Sequence, residues 1–244
     1  LNLNIHPFLT KYEHERKAFM SNYNYNSFDS RKNIFIIGNS YSVDLLNLFF
    51  QNKNLNKKFY FYTAVSDDIG AMFQVSCVLD FLENKTKICN KQIFTSFKKQ
   101  YEKSDYIILA DSLNESYIGP QFEKSIKHFR NDKKKFIVFL DDLIGASILD
   151  KFLYKKQKIP NSNELLNLEK KFFLNKTNSF RENLIKQSKD KFFKNDIKFL
   201  TRSKLYCDYL EKKCDLIKNN DKIYSDDGHI TNNGAKYFSN RGGI

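Results

Sequence analysis

The chain of 244 residues has no tryptophan, four cysteines, four histidines and no long hydrophobic run. Each shortage removes a class of answers. A membrane-spanning helix needs roughly 18 to 20 predominantly apolar residues in a row, and no stretch approaches that. The opening residues lack the charged-then-apolar pattern of a secretory signal. The chain starts at Leu1 and reaches its first methionine at Met20, which is the expectation for a piece of a longer protein. The cysteines are Cys77, Cys89, Cys207 and Cys214. Neither pair has a zinc spacing or a histidine at ligand distance in sequence, so neither metal nor cofactor is expected. Four cysteines allow three connectivities. Two local disulfides of an exported domain, Cys207 with Cys214 and Cys77 with Cys89, are one reading, and buried free thiols are the other.

What is abundant is positive charge. Forty-one Lys and Arg against 28 Asp and Glu leave a formal net charge of +13. Such an excess is the footprint of a nucleic-acid binder only when it is gathered into a patch. Here the lysines run along the whole chain in company with Asn, Ile, Phe and Tyr, so a solvated basic surface is expected and nucleic acid is not a partner. That surface would still draw the protein toward anionic lipid or acidic glycan. With 41% hydrophobic and 16% aromatic residues, a chain of this length can bury most of the surface that its unfolded form exposes, and disorder is not the expected state.

Residues 1–30 are polar, rich in Asn and Tyr and without periodicity, and read as a linker or wrapping segment. Residues 31–244 read as one α/β domain. Apolar runs of strand length alternate there with longer amphipathic stretches, the pattern of parallel strands joined by crossover helices. Expected strands are Ile34–Ile37, Phe59–Val65, Tyr106–Ala110, Phe136–Leu140 and Ile197–Leu200. Expected helices are Val43–Phe50, with Leu45, Leu46, Phe49 and Phe50 turned inward, then Gln121–Phe129, Asn163–Leu174, Ser179–Phe193, a short one over Lys204–Lys212, and a closing one over Asn233–Phe238. A turn is expected at Ser225–Gly228. There is no internal repeat and no long low-complexity tract.

Open parallel sheets bind ligands beyond the carboxyl ends of their strands, so the segment after the first strand is where chemistry is expected. That segment is Gly38-Asn39-Ser40-Tyr41-Ser42. Gly38 permits a tight exit from the strand, and Ser40 falls at or just before the start of the next helix, where unpaired N–H groups can hold an oxyanion. Ser40 or Ser42 could equally serve as a plain helix cap. A serine nucleophile needs a base, and the chain offers His6, His14, His128 and His229. The first two lie in the irregular opening segment and His128 in a lysine-rich helix. His229 follows Asp226 by three residues, so one turn can let the carboxylate orient the imidazole.

Gly38-Asn39-Ser40 resembles the Gly-Asp-Ser block that opens the SGNH hydrolase superfamily. Asp226 to His229, followed by Ile230-Thr231 and Gly234-Ala235, resembles its closing Asp-x-x-His block. Within the superfamily, the ending that combines Cys207, Cys214 and Asp-Asp-x-His-Ile-Thr-x-x-Gly-Ala is similar to that of SGNH domains fused behind multi-spanning membrane O-acyltransferases of bacterial surface glycans. The resemblance implies a flavodoxin-like three-layer sandwich with a central parallel five-stranded sheet over residues 31–244. It implies Ser40 as nucleophile, His229 as base and Asp226 as its orienting acid. The oxyanion donors would be the Ser40 backbone N–H, Gly70 and either Ser112 or Asn114. Asn39 stands where the superfamily carries Asp, Tyr41 where many fused domains carry His, and the middle blocks depart from the usual Gly and Gly-x-Asn.

The expected function is serine-dependent O-acyl transfer or ester hydrolysis on a carbohydrate, with an acetyl or similar small acyl group carried on Ser40. The alternative is a glycan-binding or accessory module that keeps the fold and has lost efficient chemistry, as Asn39 and the altered middle blocks suggest. The resemblance places the domain in a periplasmic or other extracytoplasmic compartment, tethered through an upstream membrane region or partnered by one.

Overall fold

The computed structural model describes residues 30–38, 40–63, 91–111, 127–128, 131–132, 135–140, 146–175, 197–226 and 229–241. The chain divides into two compact units. One comprises Tyr25–Asp141 with Ile185–Leu200, the other Leu1–Asn24, Asp142–Leu184 and Thr201–Ile244.

The first unit is organised by the run Ile34–Ile37. Four consecutive apolar residues cannot alternate between core and solvent, so they suit a strand covered on both faces. They lie in β1 (Lys32–Gly38), where Phe35, Ile36 and Ile37 are fully buried. The other strands are β2 (Phe59–Thr63), β3 (Tyr106–Asp111), β4 (Lys135–Leu140) and β5 (Ile197–Thr201), in the order β2-β1-β3-β4-β5. Pairing is parallel between β1 and β2, β1 and β3, and β3 and β4. Asp105, just before β3, ties the entry side of the sheet together. Its carboxylate accepts from the Asn33 N–H at 2.8 Å, its own N–H donates to the Asn33 carbonyl at 2.9 Å, and its carbonyl accepts from the Lys135 N–H at 3.3 Å.

Helix α1 (Ser40–Gln51) follows β1 directly. It buries Val43, Leu45, Leu46, Leu48 and Phe49, each contributing about 1.5 to 3 kcal/mol of transfer free energy before entropy is counted. Ser42, Asp44 and Asn47 are buried as well, so the helix is covered almost all round. Phe50 corrects the sequence expectation, for it is 47% exposed. Once a helix is covered on every side, periodicity no longer selects an inner face, and Phe50 in the last turn extends beyond the cover. A short α2 (Lys53–Lys58) follows, capped by the Asn52 side chain, which accepts from the Asn54 and Leu55 N–H groups. Helix α3 (Lys91–Lys103) precedes β3 without having been expected. Its Tyr101 hydroxyl donates to Asp132 at 2.6 Å, and its Gln100 carbonyl accepts from the Tyr62 hydroxyl at 2.6 Å.

The second unit contains α4 (Ile148–Lys156) and α5 (Ser162–Asn175). The start of α5 is a reciprocal capping box: the Glu164 N–H donates to the Asn161 side chain and the Asn161 N–H to the Glu164 carboxylate, both at 3.0 Å. The expected helix over Lys204–Lys212 is replaced by α6 (Arg202–Tyr206) and a hairpin of β6 (Cys207–Asp208) with β7 (Lys213–Cys214). Two local forces divert the chain. Cys207 pairs with Cys214 and is disulfide-bonded to it, and the Asp208 carboxylate accepts from the Leu210 and Glu211 N–H groups at 2.9 Å each, which closes a turn in place of a helix. A second small hairpin, β8 (Ile217–Lys218) with β9 (Asp221–Lys222), turns through Asn219 and Asn220 at φ 50° and 60°, a conformation that Asn tolerates. Helix α7 (Asn232–Ser239) closes the fold. Phe172, Tyr206, Tyr224 and Phe238 form the buried aromatic core of this unit, with ring centroids 4.6 to 6.2 Å apart. Of the expected helix Gln121–Phe129 only residues 127–128 are described, and they are helical. Ser179–Phe193, residues 1–29 and the end of the second strand beyond Thr63 lie outside the described residues. Among the described residues no helix is long and apolar enough to cross a membrane.

Candidate active site

Strand order places a switch point at β1. The chain goes from β1 to β2 on one side and then to β3 on the other, and open parallel sheets bind ligands beyond the carboxyl ends of the strands at such a point. Gly38, the last residue of β1, pairs with Ala110 of β3. A β-carbon on Gly38 would collide with the Ala110 carbonyl, so only glycine lets the two strands approach this closely there. Two residues on, Ser40 is the first residue of α1. The N–H groups of a first helical turn have no acceptor within the helix and carry partial positive charge. Ser40 thus lies just past the carboxyl end of β1, on a turn that attracts negative charge.

The second cluster is built inside one loop of the other unit. His229 Nδ1 lies 2.9 Å from Asp226 Oδ1 and 2.8 Å from Oδ2, and the His229 backbone N–H donates to Oδ1 at 2.9 Å. One carboxylate therefore fixes both the backbone and the ring of His229. A carboxylate only accepts, so the Nδ1 proton points to Asp226 and Nε2 is left as the basic nitrogen. Nε2 is buried and the imidazole as a whole is 20% exposed, whereas Asp226 is 51% exposed. This is an arrangement in which a carboxylate fixes the orientation of a histidine ring.

The loop is held at both ends. Tyr224 and Ile230 form an antiparallel bridge, and the Ser225 N–H and hydroxyl both donate to the His229 carbonyl, at 2.9 and 3.1 Å. Thr231 locks the exit. Its hydroxyl donates to the Lys222 carbonyl at 2.8 Å and its oxygen caps α7 by accepting from the Gly234 N–H at 3.0 Å. Gly234 lies so close to the Ile223 carbonyl that a β-carbon would collide with it. Beneath the loop, burial pushes the Tyr224 hydroxyl well above its ordinary pKa, so the phenol packs as a neutral ring.

Of the residues singled out from sequence, the structure brings Asp226 to His229 and Cys207 to Cys214, and puts Ser40 at the head of α1 in the sheet unit. Gly70, Ser112, Asn114, Cys77 and Cys89 lie outside the described residues, as does Asn39; Ser112 is next in the chain to Asp111, the last residue of β3. The roles of three residues escaped sequence reasoning. Thr231 is an N-cap before Asn-Asn-Gly, a signal that was there to read. Lys222 and Asp150 form an ion pair at 2.5 Å across 72 positions, and nothing local in the sequence announces it.

Neither among curated proteins nor among solved structures does a comparison find a match. A family model does match, that of the SGNH domain (fused to AT3 domains), over residues 11–241. Because the match takes in nearly the whole sequence, the chain belongs to this SGNH family, whose members are typically hydrolases or acyltransferases.

Proposed function

We propose that this domain transfers or hydrolyses small acyl esters of carbohydrate through an acyl-enzyme on Ser40. The observation that carries the reading is the contact of Asp226 with His229 through both carboxylate oxygens, joined to family membership. In the proposed first half-reaction, His229 Nε2 takes the Ser40 hydroxyl proton as Oγ attacks the ester carbonyl. The tetrahedral oxyanion is held by the Ser40 backbone N–H, Gly70 and Ser112 or Asn114. As the carbon–oxygen bond to the alcohol breaks, the imidazolium returns the proton to the leaving oxygen. In the second half, His229 deprotonates water or a sugar hydroxyl, which attacks the acyl carbonyl and regenerates Ser40. Asp226 keeps the ring in one tautomer and stabilises the imidazolium throughout.

The same reading makes the pairing of β4 with β5 parallel, which completes a flavodoxin-like sandwich with a five-stranded sheet. It places the domain outside the cytoplasm, where the Cys207–Cys214 disulfide persists, with a membrane-embedded acyltransferase region on the same polypeptide or a partner as the source of acyl groups. The basic surface suits an acidic glycan acceptor.

A fluorophosphonate probe tests the nucleophile. Labelling of the wild-type chain that disappears in Ser40→Ala and in His229→Ala supports the reading. A folded wild-type chain that takes no label is the result expected of an accessory glycan-binding module, the second reading favoured by Asn39.

A further inference from the structure

We propose that Lys222, clamped by Asp150, is a positioning residue for the Asp226–His229 pair. The proposal rests on the reading of that pair as orienting acid and base. Lys222 ends β9, with its side chain only 8% exposed. A buried ammonium needs partners on every side, and two are in place. Asp150 in the first turn of α4 approaches at 2.5 Å, as a close ion pair rather than a well-aligned hydrogen bond. The Ser225 carbonyl accepts from the Lys222 ammonium at 2.8 Å.

The second contact makes the lysine more than a structural cation. Ser225 precedes Asp226 in the chain and donates twice to the His229 carbonyl. From the far side of the loop, the Thr231 hydroxyl donates to the carbonyl of Lys222 itself. The contacts close a ring that runs from Lys222 through Ser225, His229 and Thr231 back to Lys222, with Asp226 and the imidazole carried on its outer edge. Asp226 is half exposed, and its carboxylate accepts from the His229 backbone N–H as well as meeting the ring. The ring of contacts beneath it helps to set the angle at which its carboxylate meets Nδ1, and Lys222 and Asp150 pin that ring to α4. Asp150 also neutralises the lysine's charge, so the ammonium does not compete with the imidazole for Asp226.

The test is Lys222→Met, with Lys222→Arg and Asp150→Asn beside it, each read in two ways. The first readout is NMR of the His229 ring, which needs no turnover: the Nδ1 proton signal of a held histidine is expected to broaden or vanish in Lys222→Met and to return in Lys222→Arg. The second is the pH profile of probe labelling or ester turnover, with kcat expected to fall about tenfold and KM to stay within about twofold. Asp150→Asn keeps the side-chain shape and is expected to show the same changes more weakly, and it serves if Lys222→Met does not fold. A folded Lys222→Met that loses thermal stability but keeps the His229 signal and the wild-type pH profile overturns the proposal, because the pair would then be structural only. If Ser40→Ala shows the catalytic reading to be wrong, the ring signal still decides whether Lys222 holds His229.

Discussion

Gly38 at the end of β1 faces Ala110 of β3 at a separation that admits no side chain, because a β-carbon on the glycine would overlap the alanine carbonyl. The obstacle is backbone in a paired strand, which cannot rotate away as a side chain would. Gly38→Ala is therefore expected to cost roughly 3 kcal/mol or more, at the upper end for overpacking. It should also move the start of α1. Urea denaturation gives the first quantity, and the rate of fluorophosphonate labelling at Ser40 reports the second. An unchanged midpoint and rate would show that the two strands do not meet as closely as described.

Replacing Asp226 by Asn keeps the size of the side chain and an acceptor for the His229 N–H, but it removes the charge and offers Nδ1 an amide donor. The histidine then loses the preference for its useful tautomer. Activity is expected to fall on the order of a thousandfold, while thermal stability changes little because the bridge of Tyr224 with Ile230 remains. Steady-state kinetics on an activated ester, with a thermal melt alongside, separates the two effects.

Glu169 provides a pH signature. Its side chain sits in the interior of the second unit, and burial raises its carboxyl pKa above the ordinary value. The N–H of Leu216, 3.0 Å away, pulls in the other direction without winning. A folded-state pKa above the unfolded one means that the folded chain keeps this proton longer. The stability it contributes is complete below the ordinary glutamate pKa and drains away as pH rises through the raised value. Glu169→Gln retains an acceptor for Leu216 and cannot ionise. The variant's melting temperature should therefore rise relative to wild type from about pH 4.5 upward, the gap levelling once wild-type Glu169 is fully ionised. A gap that shrinks with pH would reverse the sign assigned here.

The disulfide closes a short loop, since Cys214 lies only seven positions after Cys207. Loop-closure entropy puts its contribution at about 2 kcal/mol. Reduction, or the double replacement of both cysteines by serine, should lower the unfolding free energy by about that much. The effect should fall on the second unit, whose hairpin then relies on its β pairing, the Asp208 turn and contacts such as Arg241 with Asp208 and Phe173 with Tyr209. Denaturation with and without reductant measures it, and hydrogen exchange locates it.

What could be read along the chain were features whose causes are local. The apolar runs of β1, β3 and β4 announce strands because runs of four to six apolar residues are too short for most helices and suit a strand covered on both faces. Asp226 and His229 meet because they are three positions apart in the chain, a distance that one turn spans without help from the rest of the fold. The glycine before Ser40 and the one in α7 were visible, but what each one accommodates, Ala110 in one case and Ile223 in the other, was not.

The tertiary structure decided everything that depends on which distant segments share an interior. Phe50 looked inward by periodicity, yet α1 is covered nearly all round and the last turn runs past its cover. The stretch after Tyr206 carries a helical composition, but a cross-link and an aspartate turn bend it into a hairpin. Glu169 meets the Leu216 N–H across 47 positions, and Lys222 meets Asp150 across 72. A sequence determines its short-range contacts directly, because the chain itself keeps those partners together. Burial and charge pairing over long separations follow only once the whole core has closed and excluded water, since exclusion of water is what makes a buried lysine or glutamate seek a particular partner.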